Sequence, residues 1–143
     1  MHAVYTRRIF VGRLSGVLAA LIPVVRSRPR HVCRVRVTGP HPVPRPGITA
    51  AKVLTREQLA ETPAVVPVFD QVREIPEIID GIRCQCGCAE LEGYYSLLSC
   101  YESDAMARSC PICQGQGRLA SRLHRDGKTL DEIRAAIDAR YGG

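Results

Sequence analysis

The arrangement of apolar and polar positions is clearest near the C-terminus, where it predicts a helix. Apolar side chains recur there at helical spacing, and they are Leu130, Ile133, Ile137 and Tyr141. Polar side chains fall on the opposite face: Asp131, Arg134, Asp138 and Arg140. Thr129 and Glu132 have the spacing of a capping box, so we expect the helix to begin immediately after Thr129.

A second helix is predicted just before this one. Pro111 is favoured in the first turn of a helix, with Ser109 or Cys110 as the capping residue, and Gly127 is a suitable stop. The predicted inner face holds Ile112, Gln116, Leu119 and Leu123. Two glycines in its first turns weaken the helix, but they let another backbone approach closely.

Earlier in the chain the same reasoning predicts shorter helical segments. Helical spacing indicates a helix over residues 94–102, and its apolar positions are Tyr94, Leu97, Leu98 and Tyr101. A capping box in residues 55–58 favours a short helix at that point. Pro76 suits the start of another helical turn over residues 77–80, with Gly81 as its stop.

The pattern as a whole indicates one fold class. No run of alternating apolar and polar residues indicates a strand, and prolines interrupt residues 62–76. The length of 143 residues allows one domain of ordinary size. We therefore expect a mainly α fold, a small bundle of three to four short helices organised around a cysteine cluster, with a disordered N-terminal leader and linker.

Charge divides the chain into a basic leader and a mildly acidic body. Residues 1–47 hold nine Arg and no Lys, Asp or Glu. Residues 48–143 hold 11 basic and 14 acidic residues. Since the basic charge belongs to the leader, the body lacks the basic surface that nucleic-acid binding requires, and we expect no nucleic-acid partner.

The leader has the features of an export signal. Arg7 and Arg8 precede Ile-Phe-Val and the apolar run over residues 14–25, which is too short to span a membrane but long enough for a signal peptide. The arginine pair resembles the twin-arginine signal, whose route carries folded proteins, often with a cofactor bound. We therefore predict export to the periplasm or the outer face of the cytoplasmic membrane, with membrane contact only through the signal or a tether.

These features divide the chain into three parts. Residues 1–36 are predicted to be the export signal and basic leader, residues 37–54 a Pro-rich linker, and residues 55–143 the cysteine-rich helical domain. Four prolines in residues 39–47 exclude a helix or a central strand there. Such a segment favours an extended linker.

Cysteine is the residue type that carries the chemistry of this chain. The sequence has seven cysteines, no Trp and only two Phe, and a small body with so few large apolar residues often needs a disulfide or a metal for stability. Six of the cysteines lie within thirty consecutive residues: Cys84, Cys86, Cys88, Cys100, Cys110 and Cys113. The seventh, Cys33, lies in the leader.

Metal binding is the first interpretation of the six cysteines. Thiolates are soft ligands that favour Cu(I), Zn(II) and iron–sulfur clusters. Cys110 and Cys113 have the spacing that brings two sulfurs to one ion at a helix start. An extended Cys-x-Cys-x-Cys segment would place three more sulfurs on one face, and Gly87 allows it to bend. Met106 is a candidate additional ligand. We favour Cu(I), for delivery or storage, with structural Zn(II) as the nearest alternative.

Two other interpretations stay open. Six cysteines in an exported domain can form three structural disulfides in about fifteen pairings, although a bridge within Cys-x-Cys would be strained. Such a metal-free chain would be a disulfide-stapled interaction protein. Cys110 and Cys113 also have the outline of a thiol–disulfide exchange pair, but no thioredoxin-like strand and helix precede them.

Catalysis by other residue types is not indicated. The sequence offers no recognisable Ser/His/Asp constellation, no Gly-rich phosphate-binding loop and no paired-carboxylate pocket. We therefore expect a binding protein rather than an enzyme. Its expected partners are a metal ion and another metalloprotein of the cell envelope.

The cysteine spacing resembles that of a known family. The matching segments are residues 82–88, 96–101, 110–113 and 123–138. Over residues 74–142 the chain resembles the bacterial PCYCGC-motif proteins, a family of exported proteins and lipoproteins. Arg83 and Gln85 stand where the motif has Pro and Tyr, and residues 94–95 and 106–108 lack the His that members often carry nearby. The resemblance implies a location in the cell envelope and supplies no mechanism.

Overall fold

Four helices form the frame of the described part of the chain. A computed structural model describes residues 39–142. The helices are α1 (Val66–Glu74), α2 (Pro76–Asp80), α3 (Pro111–Arg125) and α4 (Leu130–Tyr141). Short 3-10 turns lie between them at Pro63–Val65, Cys88–Glu90, Leu98–Tyr101 and Met106–Arg108. Within residues 39–142 the only β pairing is an isolated bridge, so the predicted mainly α fold is confirmed.

Helices α3 and α4 form where the sequence predicts them, because their end signals are local. Pro111 occupies the first turn of α3, and Gly127 takes a left-handed φ of 76° just beyond its end. At α4, Thr129 accepts a hydrogen bond from the backbone N–H of Glu132, and Glu132 accepts one from the backbone N–H of Thr129. The capping box therefore forms as predicted.

The expectation that prolines break up residues 62–76 is wrong. Helix α1 lies within that range, with Pro67 in its first turn, where the missing N–H has no helical partner to lose. Its inner face buries Val68, Phe69 and Val72. Helix α2 begins at Pro76 as predicted, and Gly81 follows its last residue.

Two other predicted helices are corrected. The capping-box hydrogen bonds between Thr55 and Gln58 are present at 2.8 and 3.3 Å, but only turns follow them. A cap satisfies the first N–H groups of a helix without supplying an apolar stripe that would stabilise one. The predicted helix over residues 94–102 is reduced to the 3-10 turn Leu98–Tyr101.

The core lies between α1, α3, α4 and the turn Leu98–Tyr101. The ring of Phe69 meets that of Tyr101 edge to face, with centroids 4.8 Å apart. From α4, Ile133 and Ile137 are fully buried, which confirms the apolar stripe. Gly117 on α3 faces Tyr101 so closely that an added Cβ would lie 2.2 Å from its hydroxyl oxygen. The core therefore requires a bare backbone at this position.

Residues 39–54 contain no helix, as their prolines predict, yet they pack against the helical frame. Arg45 forms an ion pair with the fully buried Asp80, with 2.6 Å between Nη2 and Oδ1. Asp80 also accepts a hydrogen bond from the backbone N–H of Arg45 at 2.8 Å. Val53 and Leu54 are buried in the core. These contacts make the segment part of the packed unit rather than a free spacer.

The described helices are short. None of them, across residues 39–142, has both the length and the apolar content needed to cross a membrane. The predicted signal residues Arg7 and Arg8, and Cys33, lie outside the described residues. The export signal therefore stays a prediction.

Candidate metal centre

The six cysteines of residues 84–113 lie together in the core. Four of them have no solvent exposure: Cys84, Cys100, Cys110 and Cys113. Cys86 and Cys88 retain 4% and 3% exposure. A single free cysteine is often buried. Six cysteines gathered in one small core are unusual, and they mark this region as the candidate functional site.

The Cys-x-Cys-x-Cys segment is bent rather than extended. The sequence favours an extended strand-like segment, but residues 85–87 form a turn that leads into the 3-10 turn Cys88–Glu90. Gly87 has a left-handed φ of 89°, a conformation that a side chain would disfavour. The bend at Gly87, which the sequence does predict, lets the three sulfurs face one side of the loop.

Helix α3 supplies the opposite side of the cluster. Cys110 is its capping residue, and its sulfur accepts a hydrogen bond from the backbone N–H of Cys113 at 3.5 Å. The positive end of the helix dipole therefore lies beside these two sulfurs. Tyr101 fixes the same turn, because its hydroxyl donates a 2.8 Å hydrogen bond to the carbonyl oxygen of Cys113.

The sulfur atoms contact one another directly. The Sγ atom of Cys84 lies 3.3 Å from that of Cys86 and 3.5 Å from that of Cys113. Cys86 Sγ lies 3.4 Å from Cys113 Sγ and 2.7 Å from Cys88 Sγ. Sulfurs around a tetrahedral zinc ion stand about 3.8 Å apart, given Zn–S bonds of about 2.3 Å. The cluster thus has the compactness of a single-ion site.

Two overlapping groups of sulfurs satisfy the geometry of a metal site. In the first group all sulfurs lie within 4.8 Å of one another, and its members are Cys84, Cys88, Cys100 and Cys113. The second group consists of Cys86, Cys110 and Cys113. We call the first group the four-sulfur set. Cys86 lies against three of its members without belonging to it.

The thiols of the cluster are largely free. Cys84, Cys86, Cys88, Cys100 and Cys113 are free cysteines. Cys110 is not one of the free thiols. Three disulfides within the cluster would consume all six sulfurs, and five free thiols do not fit that interpretation. All members of the four-sulfur set are available as ligands.

Gln116 is a site residue that the sequence analysis assigned only to a helix face. Its side chain is fully buried, and its amide nitrogen lies 3.9 Å from Cys84 Sγ, which accepts the N–H. Its amide oxygen accepts a hydrogen bond from the backbone N–H of Gln85 at 3.2 Å. Gln116 therefore holds the cysteine loop against α3. An amide on an otherwise apolar stripe was the signal for this role.

Hydrogen bonds inside the cluster divide its thiols into two kinds. Hydrogen bonding to Cys100, and then to Cys113, lowers the pKa of Cys86 far below the ordinary range and that of Cys88 to about 4. Cys100 is the opposite case, because hydrogen bonding to Cys113 and to the other thiols, together with burial, raises its pKa. Thiolates are thus held by thiol donors. A bound cation would replace the protons of those donors.

The other sequence-predicted candidates lie around this cluster. Met106 is buried at 6% exposure in the same core, and its role as a ligand stays a prediction. Tyr94 is half-buried, and burial, followed by the charge interactions with the sulfurs of Cys100 and Cys88, raises its pKa to about 12. Beside Tyr94 a cavity of about 180 Å³ is lined by Glu92, Gly93, Ser99, Glu102, Ser103 and Asp104. Cations that approach from this side meet an acidic surface.

The fold and the cluster define a class: a small helical protein whose core contains a group of free thiols that could hold a metal ion. The family comparison agrees with this class. The family described as "Protein of unknown function with PCYCGC motif" matches residues 48–143, and the chain belongs to it. No curated protein and no solved structure matches the chain.

Proposed function

We propose that this protein is an exported binding protein for a soft metal ion, most specifically Cu(I), which it stores or delivers in the cell envelope. One observation carries the proposal. The sulfurs of the four-sulfur set are buried, free and within 4.8 Å of one another. Crowding free thiols in this way has no packing advantage over apolar side chains, whereas a metal ion requires it.

The donor atoms favour a soft ion over a hard one. Every member of the four-sulfur set offers sulfur, and no oxygen or nitrogen ligand belongs to it. Thiolate sulfur prefers Cu(I) and Zn(II), while Mg²⁺ and Ca²⁺ require oxygen ligands. Gln116 supplies the outer contact that ligand sulfurs commonly have, through its N–H to Cys84.

Buried charge supports Cu(I) within the soft ions. Four thiolates around Zn(II) leave two net negative charges, and two thiolates around Cu(I) leave one. The cluster is almost entirely buried, and each uncompensated charge in such a place is costly. With Cu(I), the remaining thiols keep their protons and act as hydrogen-bond donors to the ligand sulfurs.

Zinc is the second candidate, and a specific observation supports it. A group of four cysteine sulfurs is the ligand set of structural zinc sites, which are tetrahedral and closed. Zinc in this position would stabilise the short helices instead of being cargo. The two candidates differ in the fate of the ion: a structural zinc ion stays bound, whereas a delivered Cu(I) ion is transferred to a partner.

The leader supports the proposal of export, and the thiolate site supports the proposal of a receiving partner. Arg7 and Arg8 support a twin-arginine route, in which the thiols would be loaded before export, while the cytoplasm keeps them reduced. The partner we propose is another metalloprotein of the envelope, which takes the ion by thiolate exchange. A zinc ion in a structural role would need no such partner.

The test is native mass spectrometry of the full chain isolated from its own envelope compartment, with and without acid and chelator. We expect a mass excess of copper that the treatment removes and that Cys100→Ser lowers. Ser109→Ala is the matched control, because Ser109 is exposed beside Cys110 and outside the four-sulfur set. A zinc mass would select the second candidate. A chain without metal whose mass is short by the hydrogens of several disulfides would overturn both.

A further inference from the structure

We propose that Cys86 and Cys88 form an oxidation site, at which a small-molecule disulfide closes a Cys86–Cys88 bond and thereby releases the metal ion. The inference rests on the proposed function, since it describes how the same site is regulated. It assigns the pair a role different from that of the remaining cysteines. Three features of the pair carry it.

The first feature is the distance between the sulfurs. Cys86 Sγ and Cys88 Sγ lie 2.7 Å apart, whereas the other sulfur contacts of Cys86 are 3.3 and 3.4 Å. A disulfide bond is about 2.05 Å long, so little movement closes this pair. Both cysteines are free thiols, which leaves both sulfurs available for the reaction.

The second feature is access. Within the six-cysteine cluster only Cys86 and Cys88 have any solvent exposure, at 4% and 3%. The residue between them, Gly87, is partly exposed and has no side chain to block the approach. An oxidant that enters from solvent therefore reaches this pair before any other sulfur of the cluster.

The third feature is the conformation of Gly87. Its left-handed φ of 89° produces the tight bend that brings two cysteines separated by one residue face to face. A bridge across so short a loop is strained, and strained disulfides are easily reduced. The same strain that makes this bond a poor structural staple makes it suitable as a reversible one.

The reaction is ordinary thiol–disulfide exchange. Cys86 attacks one sulfur of the oxidant, whose S–S bond breaks to give a mixed disulfide and one thiol. Cys88 then attacks Cys86 Sγ, the Cys86–Cys88 bond forms and the second thiol leaves. The two electrons lost by the pair reduce the oxidant to two thiolates, which take protons from solvent to become thiols.

Oxidation acts on the metal because Cys88 belongs to the four-sulfur set. Once its sulfur is in the disulfide, it is no longer a thiolate ligand, and three sulfurs of the set remain. Cys86 lies outside the set and touches three of its members. Cys86 can therefore remove a ligand from the set by bonding to Cys88, which makes metal binding depend on the redox state of the surroundings.

The experiment uses the full chain loaded with one metal, exposed to glutathione disulfide, with a coloured chelator to follow release and peptide mass mapping to locate the bond. We expect one new intramolecular bond that joins Cys86 to Cys88, release of the ion, and recovery of binding after reduction. Cys86→Ser removes the attacking sulfur while the four-sulfur set remains, so release is measured as a rate per bound ion, and we expect it to be at least about tenfold slower. Cys86→Ala repeats this control with a smaller side chain.

Two outcomes overturn the inference: release from Cys86→Ser at the rate of the unaltered chain, or a first new disulfide, absent before exposure to the oxidant, between any other pair. Oxidation of the unloaded chain separates this inference from the proposed function. A Cys86–Cys88 bond in a chain that never holds metal would refute the proposed function and retain the oxidation site. Metal binding without that bond would refute the oxidation site alone.

Discussion

The hydroxyl of Tyr101 donates a 2.8 Å hydrogen bond to the backbone carbonyl of Cys113, which couples the core to the first turn of α3. Tyr101 is fully buried, and the bond is made where α3 presents its cysteines. The position of the Cys113 sulfur therefore depends on an aromatic residue twelve positions earlier in the chain. This coupling gives the first prediction.

Tyr101→Phe should destabilise the protein by about 1–2 kcal/mol, because it removes a buried hydrogen bond to the Cys113 carbonyl. Tyr95→Phe is the matched control, since the Tyr95 hydroxyl donates to the carbonyl oxygen of Val43 at 2.6 Å but its side chain is exposed. There the loss should be at most about 0.5 kcal/mol, since water replaces the bond. Urea unfolding at fixed metal content measures both, and equal losses would contradict the coupling.

Glycine positions on α3 give a second prediction. An added Cβ at Gly117 would lie 2.2 Å from the hydroxyl of buried Tyr101, so Gly117→Ala should cost about 1–3 kcal/mol despite the better helix propensity of Ala. At Gly115 the Cβ would lie 2.4 Å from the hydroxyl of Tyr141, which sits at the end of α4 and is only partly buried. Gly115→Ala should therefore stay within about 1 kcal/mol of the unaltered chain. Thermal unfolding of both variants tests the difference.

The buried carboxylate of Asp80 makes stability depend on acid. Burial alone would raise its pKa, but hydrogen bonds from Arg45 and Ser96 outweigh it and lower the pKa below the ordinary 3.8. A lowered pKa contributes stability above the ordinary value, and this contribution is lost as the pH falls below it. Arg45→Met should therefore destabilise the protein by about 3 kcal/mol at neutral pH, because the charge of Asp80 stays buried without its partner.

Asp80→Asn provides the comparison for this ion pair. It removes the titrating group, so unfolding curves below pH 4 should depend less on pH than those of the unaltered chain. Unfolding free energies measured from pH 7 to pH 2 test the sign. Stability that is equally sensitive to acid in both chains would contradict the assigned role of Asp80.

Gln116 should act on the metal site as well as on the fold. Gln116→Leu removes the N–H that Cys84 accepts and the oxygen that holds the Gln85 backbone, and we expect about tenfold weaker metal binding. Gln114→Leu is the control on the same helix, because its amide bonds only to the Ala107 carbonyl among the described backbone groups, at 2.8 Å. Competition with a chelator of known affinity measures both. Equal losses of metal affinity in the two variants would mean that Gln116 contributes only to packing.

Metal uptake should release protons. In the metal-free chain the raised pKa of Cys100 keeps its thiol protonated at neutral pH, and a metal ligand must be deprotonated. Apparent affinity should therefore fall as the pH is lowered, and calorimetric titration in buffers of different ionisation enthalpy should show at least about one proton released per ion. Uptake without proton release would mean that Cys100 is not a ligand.

The sequence predicts the elements whose signals are local and misses those that depend on distant contacts. Helix α4 is predicted because its capping box and apolar stripe lie together in residues 129–141. Helix α1 is missed because Pro67 counts as a breaker until its position in the first turn is known. In residues 94–102 the apolar spacing is right, but the turn Leu98–Tyr101 packs as a 3-10 segment.

The candidate site likewise combines features that the sequence predicts with features that depend on distant contacts. Spacing alone brings Cys110 near Cys113, because three residues make about one helical turn. Nothing in the spacing places Cys100 within 4.8 Å of Cys113, since that depends on how the turn Leu98–Tyr101 meets α3. The ion pair of Arg45 with Asp80 spans 35 positions and has no local signal at all.

The family match contains only one member of that ion pair. It begins at residue 48, three positions after the arginine whose guanidinium neutralises Asp80. A shortened chain that begins at that boundary would keep every cysteine of the cluster and leave the buried carboxylate of Asp80 without its ion-pair partner. A fragment that begins where the family match begins would then contain all six cysteines of the cluster but lack the positive charge of Arg45 that neutralises Asp80. Anyone who produces this protein for study should begin it well before residue 45.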